Sequence, residues 1–182
     1  MSGGSGSERI QVYGSKVLRR SELPLPVGTA ETKALLDSLW ETLQADGGVG
    51  LAAPQIGASG RACVVRDPGG SGSGARIDLV NPVLKKAYGD WENFEEGCLS
   101  FPGLYFNVLR RRGAVIEFQD AEGVQRRIKD GGLLARILQH ELDHLDGILF
   151  IDRIPAWQRF WLGPRLLWMV VAGFLARKWN GK

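Results

Sequence analysis

The stretch Gln139-His140-Glu141-Leu142-Asp143-His144-Leu145-Asp146-Gly147 contains the pattern H-E-x-x-H, on which the interpretation of the whole chain depends. Residues four apart lie on one face of a helix, so His140 and His144 can direct two imidazoles at one metal ion. Glu141 can then reach water bound to that ion, as in a metal-dependent hydrolase. The 182-residue chain has only these two histidines, which favours a metal site over a chance spacing on a core helix.

The residues around this pattern predict an amphipathic helix. Asp130 can cap its start and Gly147 can end it. Between them, apolar residues recur at spacings of three and four, namely Leu133, Leu134, Ile137, Leu138, Leu142 and Leu145. The helix is therefore expected to bury an apolar face while it carries both histidines.

A metal site of this kind needs a third protein ligand. No Glu or His follows His144, so the ligand is either an aspartate near the helix end or a residue further upstream. Asp146 and Asp152 are the carboxylate candidates. Cys98 is preferred, because a thiolate suits zinc or ferrous iron better than another carboxylate does.

Two further segments precede the helix: Gly48-Val49-Gly50-Leu51-Ala52-Ala53-Pro54-Gln55 and Glu96-Gly97-Cys98-Leu99-Ser100. Together with His140-Glu141-Leu142-Asp143-His144, they resemble the three-motif signature of the peptide deformylases. The motifs stand in the family's order, and the resemblance runs from about Gln11 to Pro155. It implies removal of the formyl group from the N-terminal methionine of newly made polypeptides, with release of formate.

The resemblance also implies a role for each motif residue. The metal ligands it implies are Cys98, His140 and His144. Glu141 would be the general base for attack by water, and the Gln55 amide and the Leu99 N–H would stabilise the oxyanion. Glu96 would support the site from behind the ligands. The implied cofactor is one divalent metal ion, Fe(II) in the cell, with Zn, Ni or Co as alternatives.

The residues taken singly leave other interpretations open. Gln55 is also consistent with a solvated or capping residue, and Glu96 with an exposed residue. Cys98 is also consistent with a buried structural thiol, which is the role expected for Cys63. Asp143 either orients a ligand or pairs with an arginine. The run Arg110-Arg111-Arg112 is expected to be a solvated face or to hold the C-terminal side of a peptide.

A methionine side chain requires an apolar pocket. Its candidate residues flank the motifs and are Val49, Phe94, Leu133 and Ile137, although core packing selects the same residue types. Gly50 has two interpretations: it permits close approach of a substrate backbone, or it serves a tight turn.

The remaining pattern predicts an α+β fold, in which the motif-bearing helix packs against a mostly antiparallel sheet. A first helix is expected at residues 29–46. The expected strands are residues 10–13, 61–66, 77–84, 101–109, 114–118, 124–128 and 148–151. The Gly/Ser tract at 67–74 is predicted to be a flexible hairpin connection.

Composition indicates one globular domain, with 44% apolar and 24% charged residues. It is expected at residues 9–155, after a flexible segment at 1–8. The two cysteines provide no disulfide framework, which points to a reducing cytoplasm or an organelle interior. No basic start is followed by an apolar run, so no secretory signal is expected.

Residues 156–182 are predicted to form an apolar, basic C-terminal helix. Residues 153–182 contain six Lys or Arg and no acid, so the chain's net charge of +3 comes from this tail. Its apolar run, residues 160–176, would be about 25 Å long as a helix, against about 30 Å of bilayer hydrocarbon. Pro164 and Arg165 interrupt it. A helix at a membrane surface, or one docked on the catalytic domain or on a second copy, is therefore preferred to a membrane span.

Two functions follow from different classes of protein. The first is a deformylase acting on nascent formylated peptides. The second is a deformylase-like fold kept as a binding or membrane-localised module without turnover. The intact motifs favour the first. The family resemblance adds ribosome contact as a role for the tail, although such tails are generally polar and Lys-rich; no sequence-specific nucleic-acid binding is expected.

Overall fold

The computed structural model of the chain describes residues 7–69 and 74–179, with side chains described up to Val171 in the last helix. Residues 1–6 of the segment predicted to be flexible lie outside the described residues. So do residues 70–73 of the Gly/Ser tract.

Five strands form one antiparallel sheet in chain order among the described residues. They are β1 (Gly50–Ala52), β2 (Ala62–Arg66), β3 (Arg76–Gly97), β4 (Tyr105–Gln119) and β5 (Gln125–Asp130). The helices are α1 (Ala30–Asp46), α2 (Leu133–Leu145) and α3 (Ala156–Trp179). Short 3-10 segments lie at Lys16–Arg19, Ala53–Ile56 and Phe150–Asp152. The prediction of an α+β fold with a mostly antiparallel sheet is confirmed.

The sheet lies between α1 and α2, because successive side chains of a strand point to opposite faces. In β2, Cys63 and Val65 pack into the cluster that contains Leu138 and Leu142 of α2. Val64 packs instead with the leucines of α1, Leu36, Leu39 and Leu43. The helix that carries the H-E-x-x-H motif is thus held against one face of the sheet by the apolar spacing expected of it.

The ends of both helices follow local chemistry. Thr29 caps α1 by accepting a hydrogen bond from the Thr32 N–H, and Gly47 ends it at φ 70°. Asp130 Oδ1 accepts hydrogen bonds from the N–H groups of Gly132 and Ala135, at 2.7 and 3.0 Å, at the start of α2. Asp130, the cap proposed from the sequence, therefore accepts one N–H group of the first turn of α2, that of Ala135, and one from the preceding Gly132.

Two of the expected strands are wrong, and the strand expected at residues 101–109 begins only at Tyr105. At residues 10–13, Gln11 N–H donates to the Gln55 carbonyl and Tyr13 N–H to the Ser100 carbonyl, so the segment joins the first two motifs instead of following one strand. At residues 148–151, the chain enters a 3-10 turn at Phe150–Asp152. Leu149, Phe150 and Ile151 of this segment are buried in one cluster. An apolar run without alternation does not distinguish a strand from such a turn.

The C-terminal helix docks on the rest of the chain. Leu162, Leu166 and Met169 of α3 are buried in a cluster with Phe101 and Phe150. Docking on the catalytic domain was one of the arrangements expected from the sequence, and a domain boundary at residue 155 stays a prediction. No helix within the described ranges is both long and apolar enough to cross a membrane.

Candidate metal centre and active-site cavity

Cys98, His140 and His144 converge on one point. Their ligand atoms all lie within 4.8 Å of one another, and Cys98 Sγ is 3.2 Å from His144 Nε2. The two histidines project from successive turns of α2, while Cys98 directly follows β3. A thiol with two imidazoles is a donor set that fits ferrous iron, zinc, nickel or cobalt. The structure thus brings together the three ligands predicted from the sequence.

A hydrogen bond orients the His140 imidazole, and burial keeps the His144 imidazole neutral. Glu96 Oε2 lies 3.0 Å from His140 Nδ1, which leaves His140 Nε2 free to face Cys98 and His144. Burial, helped by the charges of His140 and Arg110, lowers the pKa of His144. The resulting neutral imidazole is the form that binds a metal.

A buried network of charges lies behind His140. Arg110 donates to both oxygens of Glu96, from Nε at 2.7 Å and Nη2 at 3.0 Å, and to Asp143 Oδ2 from Nη1 at 2.7 Å. Arg136 Nη1 donates to Glu96 Oε1 at 2.8 Å, and Arg153 Nε to Asp143 Oδ2 at 3.1 Å. Each buried carboxylate is therefore shared by two guanidinium groups.

The network keeps Glu96 ionised. Burial opposes its charge, but hydrogen bonds from His140 and Arg110 outweigh that effect and lower the pKa of Glu96 to about 2. A carboxylate that is ionised and fixed by Arg110 can hold the His140 ring in one orientation. The structure thus places Glu96 behind a predicted ligand and not at the surface.

The expectation for the Arg110-Arg111-Arg112 run was wrong for its first residue. Arg110 is only 4% exposed. The alternation of β4 carries the signal that could have revealed this, because Phe106, Val108 and Arg110 share the inward face. Asp143, for which the sequence left two roles open, pairs with arginines.

Glu141 occupies space that a glycine leaves free. A side chain at Gly50 would overlap the Glu141 carboxylate, since a Cβ built there meets Oε1. The other carboxylate oxygen, Oε2, is buried and has no hydrogen-bond partner among the described residues. Burial raises the pKa of Glu141 to about 7. Gly50 therefore leaves room for the Glu141 carboxylate, a role that neither of the two interpretations from the sequence included.

The two predicted oxyanion donors lie at the same end of the site. Gln55 Oε1 accepts from the Ala52 N–H at 2.8 Å, which turns Nε2 toward Cys98 Sγ at 3.4 Å and Ser100 Oγ at 3.3 Å. The backbone N–H of Leu99, next to the ligand Cys98, donates to no other group among the described residues. The Leu99 N–H is thus available to an oxygen near the three ligands, whereas Gln55 Nε2 would have to exchange its hydrogen bond to Cys98 Sγ or Ser100 Oγ for one to that oxygen.

A cavity of about 560 Å³ opens onto this group. The five residues predicted to bind substrate line it, together with Gln55, Leu99, Cys98, His140 and Glu141. Val49, Phe94 and Leu133 are about half exposed at its mouth, while Ile137 is buried. The cavity therefore has apolar walls that lead to a polar end.

Sequence reasoning missed other lining residues, among them Ile10, Pro102 and Tyr105. Tyr105 is exposed, and its ring lies over Gly97, where a Cβ would overlap it. Gly97 and Tyr105 are opposite each other in the β3–β4 pairing. A glycine facing a tyrosine across two strands was the available signal, but it requires the register to be known.

A thiol and two imidazoles beside a buried carboxylate, with N–H donors and an apolar cavity, are the features of a metal-dependent hydrolase. Comparison with known proteins gives the family.

The polypeptide deformylase family model matches residues 7–160. A peptide deformylase of Thermomicrobium roseum is 43% identical over 149 residues, which cover 80% of this chain and 84% of that protein. One from Picosynechococcus sp. is 39% identical over 145 residues, 80% of this chain and 78% of that protein. The crystal structure of the Thermus thermophilus peptide deformylase matches with a TM-score of 0.82 at 38% identity, over 91% of this chain and 96% of that one. This chain belongs to the polypeptide deformylase family.

Proposed function

We propose that this chain hydrolyses the formyl group from the N-terminal methionine of newly made polypeptides and releases formate. The observation that carries the proposal is the convergence of Cys98, His140 and His144 beside Glu141, at the polar end of an apolar cavity. The names of its relatives support the same reaction.

Cys98, His140 and His144 would hold one divalent ion, which we propose is Fe(II) in the cell, with Zn, Ni or Co as substitutes. When bound, the ion would supply Lewis acidity for the attack of water on a carbonyl. Glu96 would hold the His140 ring in the orientation that presents Nε2.

Glu141 would accept a proton from the attacking water, because its Oε2 is unpartnered and its carboxylate lines the cavity. Gln55 Nε2 and the Leu99 N–H would donate hydrogen bonds to the formyl oxygen as charge develops there. Glu141 would then pass the proton to the departing amide nitrogen. The bond between the formyl carbon and that nitrogen breaks, which yields formate and a free α-amine.

The apolar part of the cavity would accept the methionine side chain. Val49, Phe94 and Leu133 stand at its mouth and Ile137 lies deeper, which matches an unbranched apolar side chain entering beside the carbonyl. Gly50 would keep the edge of β1 open to the substrate backbone while it makes room for Glu141.

We propose nascent formylated polypeptides as the partners of the cavity, in the cytoplasm or an organelle interior. For residues 156–182, the ribosome, a second copy and a membrane surface are the proposed partners. The exposed apolar residues of α3 favour a membrane surface over the ribosome, whose contacts require polar, basic side chains.

The test compares formate release from N-formylmethionyl and acetate release from N-acetylmethionyl peptides, using protein purified without oxygen and assayed for bound metal. We expect metal-dependent release of formate only. Glu141→Gln should lower kcat about 10²–10⁴-fold at unchanged metal content. Glu122→Gln, an exposed glutamate outside the cavity, is the matched control.

No turnover of the formyl peptide by protein with one bound metal per chain would overturn the proposal. It would favour the binding module without turnover. Release of acetate in place of formate would assign the same site to a different acyl group. Full activity in Glu141→Gln would refute the role proposed for Glu141 in the mechanism. It would not change which substrate is assigned to the site.

A further inference from the structure

The outward face of α3 is apolar and aromatic. Six large side chains on it are exposed, namely Trp157, Phe160, Trp161, Leu167, Trp168 and Val171. Monomeric proteins rarely expose a contiguous apolar surface of this kind unless it binds another surface. The deformylase reaction does not use these residues, because none of them lines the cavity.

These six residues form one continuous strip. At about 100° per residue, they fall within an arc of about 120° around the helix axis. Leu162, Leu166 and Met169, which bind the helix to the catalytic domain, lie on the opposite side. The helix is therefore fixed by one apolar face and presents a second one to the surroundings.

We infer that the outward face of α3 binds the surface of a membrane that contains anionic lipids. Tryptophan and phenylalanine suit the boundary between head groups and acyl chains, and three of the six residues are tryptophans. Residues 153–182 contain six basic residues and no acid, while the rest of the chain carries a net charge of −3. Arg153 and Arg159 pair with Asp143 and Asp152, and Arg165 donates to the Gly103 carbonyl. The basic charge therefore favours anionic lipid through the net excess of cations in this region, which turns the helix, not the body of the protein, toward the lipid.

The same helix lies beside the rim of the cavity. Arg165 Nη2 donates to the Gly103 carbonyl at 2.6 Å, and Gly103 lines the cavity. A protein bound through α3 thus holds the cavity entrance close to the lipid surface. If the proposed function holds, formylated chains that emerge at a membrane are substrates within its reach.

The experiment is flotation of the full chain with vesicles of phosphatidylglycerol and phosphatidylcholine, and with vesicles of phosphatidylcholine alone. We expect flotation with the anionic vesicles, weaker flotation with the neutral ones, and a decrease as salt is raised. The triple variant Trp157→Gln/Trp161→Gln/Trp168→Gln should lower partitioning roughly tenfold or more. Its activity on a soluble formyl peptide and its unfolding curve should be unchanged. Trp91→Gln, an exposed tryptophan on β3, is the matched control.

Absence of flotation with anionic vesicles would overturn the inference. Equal flotation with neutral vesicles would overturn the assignment to anionic lipid. Sedimentation velocity tests whether a second copy of the chain covers this face. If the unaltered chain is a dimer, the triple variant is a monomer and neither binds vesicles, the face would be assigned to a second copy of the chain. Because hydrolysis of the soluble peptide is measured separately, loss of activity and loss of membrane binding stay distinguishable.

Discussion

Behind His140, charged side chains are buried, whereas on the outward face of α3 large apolar side chains are exposed. Each region departs from the usual arrangement, in which charges are exposed and apolar side chains are buried. Arg110 is 4% exposed in the first region, whereas Trp161 is 76% exposed in the second. The buried charges all have partners inside the protein, since Glu96 and Asp143 are each held by two arginines. The exposed aromatic residues have no covering element among the described residues. A buried charge with its partners indicates orientation of a neighbouring group, and an uncovered apolar face indicates a partner outside the chain.

The largest expected effect comes from breaking the buried network. Arg110→Met removes the guanidinium that contacts both Glu96 and Asp143 and leaves each buried carboxylate with one arginine partner. The free energy of unfolding should therefore fall by about 3 kcal/mol or more. Urea denaturation measures it, with Arg112→Met at an exposed neighbouring position as the control. A loss as small as that of the control would mean that Arg136 and Arg153 suffice, and that Arg110 is not the centre of the network.

A pair of adjacent leucines tests the two faces of α3. Leu166 is 7% exposed and Leu167 is 65% exposed. Leu166→Ala should cost about 2 kcal/mol or more of stability, because it leaves a cavity against the domain. Leu167→Ala should stay within about 0.5 kcal/mol, as at other surface positions. Thermal or urea unfolding of both variants decides the point, and equal effects would contradict the docked orientation.

The smallest effect concerns metal affinity. Glu96→Gln keeps the shape of the side chain but removes the carboxylate that orients His140, so metal affinity should fall about 10–100-fold. Competition with a chromogenic chelator measures the dissociation constant. The adjacent Glu95→Gln, whose side chain is exposed, should leave the constant unchanged. An unaltered affinity in Glu96→Gln would show that the network serves stability and not the ligands.

The sequence predicted the parts of the site that depend on local periodicity. A spacing of four places His140 and His144 on one face of α2, whatever the rest of the fold does. It could not reveal the ion pair between Glu96 and Arg110. Glu96 is opposite Phe106 in the β3–β4 register and Arg110 is opposite Glu92, so the two are not directly paired across the strands. Their contact depends on strand twist and on the reach of the arginine.

The register itself also lay beyond sequence reasoning. The β3–β4 pairing shifts between Val80 and Val83, between Leu84 and Lys86, and between Tyr88 and Trp91. Each shift changes which residues face each other across the two strands, and the amino-acid sequence around it does not reveal the change. For the same reason the facing of Gly97 and Tyr105 could not be foreseen.

The sequence by itself determined the three motifs, the amphipathic character of α2 and the basic, apolar character of the tail. These follow from residue chemistry and from the repeat of the helix, which are local properties. The tertiary structure alone decided that Arg110 is buried, that Gly50 makes room for Glu141, and which face of α3 is covered. The reason is that α3 is apolar on more than one side. Only packing against Phe101 and Phe150 selects the side that turns inward and leaves three tryptophans facing out.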